Sequence, residues 1–235
     1  PTKRILSSGS NPFYNPLCIS LEWNELMRRF LFFMILALHL PVMAQRGSGK
    51  ADALLDKVVA SIKADAPVRM DYLYKVCDDD GTLVQSDKGV LYVDGQNYAL
   101  LMDKMKVWCN GTIQWSYMSD VNEIYITDAV SDEAQNLSPL SIVENYRKGY
   151  KLSSTDKGSD VLLTLKAPSK GADVDKVELY VRKSDSRLAR LVVYMSGQGY
   201  IDVSLAGYTS RCGVGQDAFE CPLKEYPTAE VVDMR

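Results

Sequence analysis

The side chains that could do chemistry are few in this chain of 235 residues. Its one histidine, His39, lies in an apolar segment that we expect to be cleaved. The remaining chain would then have no Ser-His-Asp triad, no Cys-His pair and no histidine ligand for a metal. A pair of carboxylates is the one catalytic arrangement that stays open. We therefore predict a protein that is not an enzyme and that uses no cofactor or metal.

Three consecutive carboxylates, Asp78, Asp79 and Asp80, precede Gly81 and could be taken for a calcium loop. The spacing of an EF-hand loop is absent, however. Asp and Gly also favour tight turns, because their backbones tolerate turn conformations and the Asp side chain can bond to the chain nearby. The acidic run is predicted to be a solvated turn.

The composition is that of a folded globular protein, with 46% hydrophobic and 24% charged residues. The net charge is −3, and no basic stripe is visible in the sequence. Binding to nucleic acid depends on clustered positive charge. Nucleic acid is therefore not an expected partner.

Residues 27–44 have the pattern of a secretory signal peptide: two arginines, then an apolar run that ends in small residues. A retained membrane anchor is the alternative, but a spanning helix needs roughly 20 apolar residues. We expect export, with cleavage near Ala44. Residues 1–26 are predicted to be an upstream extension without structure, and residues 45–235 to form a single domain.

Export would place four cysteines, Cys77, Cys109, Cys212 and Cys221, in an oxidising compartment. Four cysteines allow three pairings, and the sequence does not choose among them. A bridge between Cys212 and Cys221 across a Gly-rich turn is the pairing that we expect first, with Cys77 and Cys109 as the second pair. Free, buried cysteines are the alternative, since no C-x-x-C spacing indicates a metal site.

The stretch from Lys88 to Thr127 predicts a run of short antiparallel strands. Asp94-Gly95 and Asn110-Gly111 are dipeptides of two-residue hairpin turns, because they accept positive φ. Alternation after the second turn places Ile113, Trp115 and Tyr117 on one side of a strand. The result is a meander with one strongly apolar, aromatic face.

The rest of the chain adds further strands and two helices. An apolar stripe predicts a helix over Gly49–Ala64, and Ser138-Pro139 predicts the start of a second helix that Gly149 ends. Further strands are predicted at Val68–Cys77, Val161–Lys166, Lys176–Arg182, Leu188–Ser196 and Tyr200–Tyr208. About eleven strands and two or three helices result.

These elements predict a mostly β protein of the α+β class. Alternating strands form antiparallel sheets, and a long meander curls into a barrel or an open half-barrel. The two apolar helices then have room across the concave mouth of the sheet. We expect an open antiparallel β half-barrel covered by a small helical lid.

Several stretches within roughly residues 50–235 carry a resemblance to a known family. They are Gly89-Val90-Leu91-Tyr92, the turn and strand from Asn110 to Tyr117, Asn122-Glu123-Ile124-Tyr125, and the ending from Phe219-Glu220-Cys221 to Asp233. Together with an N-terminal helix that leads into a strand, they resemble the LolA-like periplasmic carriers of outer-membrane lipoproteins.

The resemblance implies the same half-barrel with a helical lid, located in the periplasm and without catalytic residues. It implies lipoproteins or other acylated cargo as partners, together with a release complex at the inner membrane and an acceptor at the outer membrane. One position departs from the family pattern. Gly95 stands near where the family has an arginine thought to hold the lid shut, so control of the lid is an open question.

A carrier of this kind needs an apolar wall and a lid. We expect the cleft wall to contain Met70, Tyr72, Tyr74, Leu101, Trp115, Tyr117 and Ile124, and the lid to contain Leu140, Val143 and Tyr146. A register slip of one residue would move every wall side chain to the other face. The alternative function is a periplasmic module that senses or binds a lipid or protein without transporting it, and a carboxylate-based lipid hydrolase is a remote third.

Overall fold

A computed structural model describes residues 49–129, 149–168, 172 and 174–235. Within these ranges one α-helix, α1 (Gly49–Asp65), precedes twelve strands. The strands are β1 Val68–Cys77, β2 Leu83–Asp94, β3 Asn97–Met102, β4 Met105–Cys109, β5 Ile113–Met118, β6 Glu123–Asp128, β7 Lys151–Lys157, β8 Asp160–Lys166, β9 Val174–Arg182, β10 Leu188–Met195, β11 Gly199–Thr209 and β12 Glu230–Asp233. The signal peptide and the second helix that the sequence predicts lie outside the described residues.

All twelve strands form one sheet, in the order β12-β6-β5-β4-β3-β2-β1-β11-β10-β9-β8-β7. Every pair is antiparallel except β12 with β6. The two outermost strands, β12 and β7, do not pair with each other, so the sheet is open. The open antiparallel half-barrel predicted from the sequence is confirmed.

The two predicted hairpin turns of the meander form at the predicted dipeptides, Asp94-Gly95 and Asn110-Gly111. Gly95, between β2 and β3, has a φ of 64°, and Gly111, between β4 and β5, has a φ of 83°. Both values lie in the left-handed region, which a residue without a side chain enters at no steric cost. Asp78 to Gly81 also form a turn, in which the Asp78 and Asp80 carboxylates accept the backbone N–H of Thr82. The predicted acidic turn is thus present.

The inner face of the sheet is defined here as the side against which α1 packs. α1 buries Ala51, Leu55 and Val58 on this side, against apolar residues of β7, β8 and β9. Near its C-terminal end Ile62 also contacts a second inner cluster, formed by residues of β2, β3 and β4. The single described helix therefore crosses the sheet and bridges two parts of its inner face.

The outer face of β3, β4 and β5 is covered by the segment of residues 212–229, called here the C-terminal strap. Phe219 of the strap is fully buried against Ala99 and Trp108. Two short 3₁₀ turns, Gln216–Phe219 and Leu223–Glu225, shape the strap before β12. The sheet is therefore packed on both sides, with the helix inside and the strap outside.

All four cysteines of the described chain are free, so the structure contains neither predicted disulfide. Cys109 is opposed by Tyr98, and the register leads from Tyr98 across the sheet to Val68, the first residue of β1. Cys77 is the last residue of β1, at the other end of that strand. At about 3.3 Å per strand residue the two thiols are roughly 30 Å apart along the sheet. Cys221 packs on the outer face with Phe219, while Cys212 is bonded through its backbone N–H to Pro67. Cys77 and Cys109 are buried, whereas Cys212 and Cys221 are half-buried.

Candidate functional site

Three of the predicted wall residues, Met70, Tyr72 and Tyr74, alternate along β1 and lie on the inner face. Directly opposed residues of neighbouring strands point to the same side of a sheet. Met70 is opposed by Leu91 of β2, and Tyr72 by Leu205 of β11. Met70 and Tyr72 are buried and Tyr74 is half-buried. These three side chains lie at the centre of the inner face, and their role as the wall of a cleft stays a prediction.

The other four wall residues, Leu101, Trp115, Tyr117 and Ile124, lie on the outer face. The inner row through Met70 continues over Leu91, Leu100 and Val107 to Ser116. Ser116 stands between Trp115 and Tyr117 on β5, so those two aromatic side chains point the other way. The predicted single wall is therefore divided between two faces, and the correction places these four residues on the outer side.

The outer aromatic residues have a partner of their own, which is the C-terminal strap. The ring of Tyr226 lies 4.4 Å from that of Tyr117 and 6.0 Å from that of Trp108, measured between centroids. Lys106 donates a hydrogen bond of 3.1 Å to the Tyr226 hydroxyl. The aromatic face that the sequence marks as a cleft wall is thus a packed contact with the strap.

Polar side chains replace apolar ones where the inner face reaches β5 and β6. Gln114, Ser116 and Thr127 are buried there, with 2%, 6% and 8% of their surface exposed. The Tyr98 hydroxyl donates a hydrogen bond to the Gln114 carbonyl oxygen, and the Gln114 amide donates to Ser116. The sequence analysis did not select Gln114 and Ser116, because their alternation with apolar residues in β5 is typical of the solvent side of an amphipathic strand.

Methionines supply much of the apolar surface of the inner face. Met102 is opposed by Gly89, in line with Tyr72, and Met105 is opposed by Met118 on the next strand. Met102 and Met105 are half-buried. Methionine is unbranched and adapts to irregular neighbours. This part of the inner face is therefore apolar and adaptable.

Two tyrosines on the inner face have side-chain pKa values above the ordinary value. Burial raises the pKa of Tyr74 to about 12. Burial also raises the pKa of Tyr72, and the carboxylate of Asp87 raises it further. Both side chains are consequently neutral at physiological pH. They can donate a hydrogen bond, but they are not suited to act as bases.

The family described as outer membrane lipoprotein carrier protein LolA matches residues 40–196 of this chain. The chain belongs to this family. The match includes α1 and the strands β1 to β10, and it ends before β11. No curated protein matches the chain.

Solved structures similar to this LolA-family chain have low sequence identity. An uncharacterized conserved protein from Thermus thermophilus is 14% identical with a TM-score of 0.49, over 78% of this chain and 99% of that one. A LolA superfamily protein from Nitrosomonas europaea is 12% identical with a TM-score of 0.40, over 74% and 98%. A putative outer membrane lipoprotein-sorting protein domain from Vibrio parahaemolyticus is 8% identical with a TM-score of 0.42, over 75% and 98%.

Gly95, where the resemblance implies that the family has an arginine, lies in the exposed turn between β2 and β3. The C-terminal end of the helix has contacts of its own with an arginine. Arg187 donates a hydrogen bond of 2.8 Å to the Asp65 carboxylate at the end of α1, and the Tyr208 hydroxyl donates one of 3.0 Å to the same oxygen. The guanidinium carbon of Arg187 also lies 4.1 Å from the centroid of the Tyr208 ring. These contacts fix the C-terminal end of α1 to β11.

Two further findings concern the described residues of this LolA-family chain. No helix among them is both long and apolar enough to cross a membrane. Within the same ranges, no group of three or more His, Cys, Asp or Glu side chains is arranged to hold a metal ion. The predicted lid residues Leu140, Val143 and Tyr146 lie outside the described residues.

Proposed function

We propose that this chain is an exported periplasmic carrier that holds the acyl chains of lipoproteins against its inner face and shields them on their way to the outer membrane. The observation that carries the proposal is membership in the lipoprotein-carrier family over a range that contains α1 and the inner-face residues of β1 to β10. The role is one of binding, and it requires no catalytic residue.

The chemistry of the inner face supports hydrocarbon as the cargo. Met70, Leu91, Leu100 and Val107 form a continuous apolar row, and the half-buried Met102 and Met105 extend it. Each CH₂ group moved out of water contributes about 0.8 kcal/mol. An acyl chain can therefore be held and released without any specific bond to its tail.

Two finer parts of the proposal, a release complex at the inner membrane and an acceptor at the outer membrane, rest on the family alone. The lid formed by Leu140, Val143 and Tyr146 and the cleavage of residues 27–44 during export also rest on the sequence pattern.

Purification of the chain from the periplasm of cells that make lipoproteins, without free detergent, tests the proposal. Mass spectrometry should find a lipoprotein or another acylated species bound at close to one per chain. Recovery of a protein partner without acylated cargo would favour the alternative, a sensing or binding module without a transport role. Absence of both would contradict the carrier and the module alike.

A further inference from the structure

The Tyr72 hydroxyl is buried on the inner face and has no hydrogen-bond partner among the described residues. Only 7% of the Tyr72 surface is exposed. A buried polar group that lacks a partner destabilises the folded chain, so such groups are rare in folded proteins. This hydroxyl therefore calls for an explanation, and a ligand group that accepts a hydrogen bond from it is one.

The backbone of β2 creates the space in which the Tyr72 ring lies. Gly89 opposes Tyr72 across the strand pair, and a Cβ at Gly89 would overlap the hydroxyl oxygen and the ring. The phenol consequently lies across β2 and over Gly89. Its hydroxyl is held at the floor of the inner face, between the central strand and the methionines of β3 and β4.

The neighbourhood of this hydroxyl is open to a ligand. Tyr74, Met102 and Leu205 adjoin it on the inner face, and all three are only half-buried. The two inner clusters of described residues that contact α1 do not include Tyr72. Tyr72 thus lies outside the two clusters against which the described helix packs, among neighbours that keep exposed surface.

The charge near the Tyr72 hydroxyl determines which kind of hydrogen-bond acceptor can bind there. Asp87 stands two residues before Gly89 on the same face and acts on Tyr72 electrostatically. Its carboxylate accepts the backbone N–H groups of Lys88 and Asp103, at 2.6 and 3.4 Å. An anionic phosphate or carboxylate group would be repelled by this charge, whereas a neutral carbonyl would not.

We propose that the Tyr72 hydroxyl donates a hydrogen bond to the carbonyl oxygen of an acyl linkage, the ester or amide that joins a fatty chain to its carrier molecule. This inference rests on the proposed function and adds a polar contact to an otherwise apolar site. The site would then distinguish acylated cargo from hydrocarbon chains without a carbonyl.

Three synthetic lipopeptides of equal chain length test the inference: one with ester-linked chains, one with amide-linked chains and one with ether-linked chains. The wild-type chain should bind at least one carbonyl-containing probe about tenfold more tightly than the ether probe, since one hydrogen bond contributes about that factor. The carbonyl-containing probe that binds more tightly than the ether probe identifies the linkage. Tyr72→Phe should bind all three probes equally, at the level of the ether probe.

Tyr180→Phe is the matched control, because the Tyr180 hydroxyl is bonded to Glu178 on the outer face and its loss should leave the preference unchanged. Without ligand, Tyr72→Phe should be at least as stable as the wild type. Equal wild-type affinity for all probes, a preference retained by Tyr72→Phe, or a clear loss of its ligand-free stability would overturn the inference alone. Failure of the wild type to bind any probe would overturn the carrier function as well.

Discussion

At the scale of single residues, Gly89 is an inner-face position where the structure leaves no room for a side chain. A Cβ there would overlap the hydroxyl and ring of Tyr72, so the ring would have to shift. We expect Gly89→Ala to lower the free energy of unfolding by about 1–3 kcal/mol, the cost of inserting a methyl into a packed site. Urea unfolding followed by circular dichroism measures it.

Two comparisons isolate the cause of this loss. Gly49→Ala at the start of α1 is the control, since nothing lies within 4 Å of a Cβ there. In a Tyr72→Leu background the effect of Gly89→Ala should shrink by more than about 1 kcal/mol, because contacting residues couple in a double-mutant cycle. Equal costs in both backgrounds would show that the Tyr72 ring is not what Gly89 accommodates.

The individual inner-face residues could be predicted only in part. Met70, Tyr72 and Tyr74 were found because they alternate on a strand whose other side carries charge. For Trp115 and Tyr117 the same rule chose the apolar side correctly but assigned it to the wrong face. Both faces of this sheet are packed, so apolarity alone does not distinguish the side facing the helix from the side facing the strap.

At the scale of elements, the contacts of Arg187 position α1. The Arg187 and Asp65 side chains are 29% and 25% exposed, so their ion pair is only partly screened by water. Removing the guanidinium leaves the carboxylate with one side-chain donor, Tyr208, among the described residues. We expect Arg187→Ala to lower the free energy of unfolding by about 2 kcal/mol. Denaturant titration provides the value.

Arg182→Ala is the matched control for this ion pair. Arg182 lies at the end of β9, and its bond to Asp185 spans three residues at the surface. Exposed pairs of this kind contribute at most about 1 kcal/mol. If the two variants lose the same stability, the contact between α1 and the sheet is no stronger than an ordinary surface pair.

The sequence did not indicate that the C-terminal strap covers the sheet. Its residues include Gly213, Gly215, Pro222 and Pro227, which read as a loop rather than as a cover for a sheet. Yet Phe219 has no exposed surface. We expect Phe219→Ala to cost about 3–5 kcal/mol, because it removes a buried ring and leaves a cavity over Trp108. Thermal or urea unfolding monitors the loss.

Leu223→Ala serves as the comparison within the same strap, since 44% of the Leu223 surface is exposed. Its effect should stay below about 0.5 kcal/mol, as for surface substitutions in general. Similar losses for the two variants would mean that the strap is not anchored through Phe219.

At the scale of the whole molecule, most of the fold followed from local sequence. Hairpin dipeptides and period-two alternation placed nearly all strands, because antiparallel neighbours in sequence pair with each other. β7 escaped prediction, since only Leu152 of its seven residues is buried and the rest is polar. The pairing of β1 with β11 joins distant parts of the chain, and no local signal specifies it.

If cargo binds to the inner face as we propose, substitutions at two adjacent residues of β3 should have opposite effects. Met102 lies on the inner face and Leu101 on the outer face, and both are half-buried. We expect Met102→Ser to weaken binding of an acylated lipopeptide about 5- to 30-fold, since it removes roughly 1–2 kcal/mol of apolar contact with the chain. Leu101→Ser should lower stability through its contact with the strap cluster while leaving affinity unchanged. Fluorescence titration with a labelled lipopeptide, below the unfolding temperature of both variants, separates the two effects. The reverse result, with affinity lost only in Leu101→Ser, would place the cargo on the outer face beneath a displaced strap.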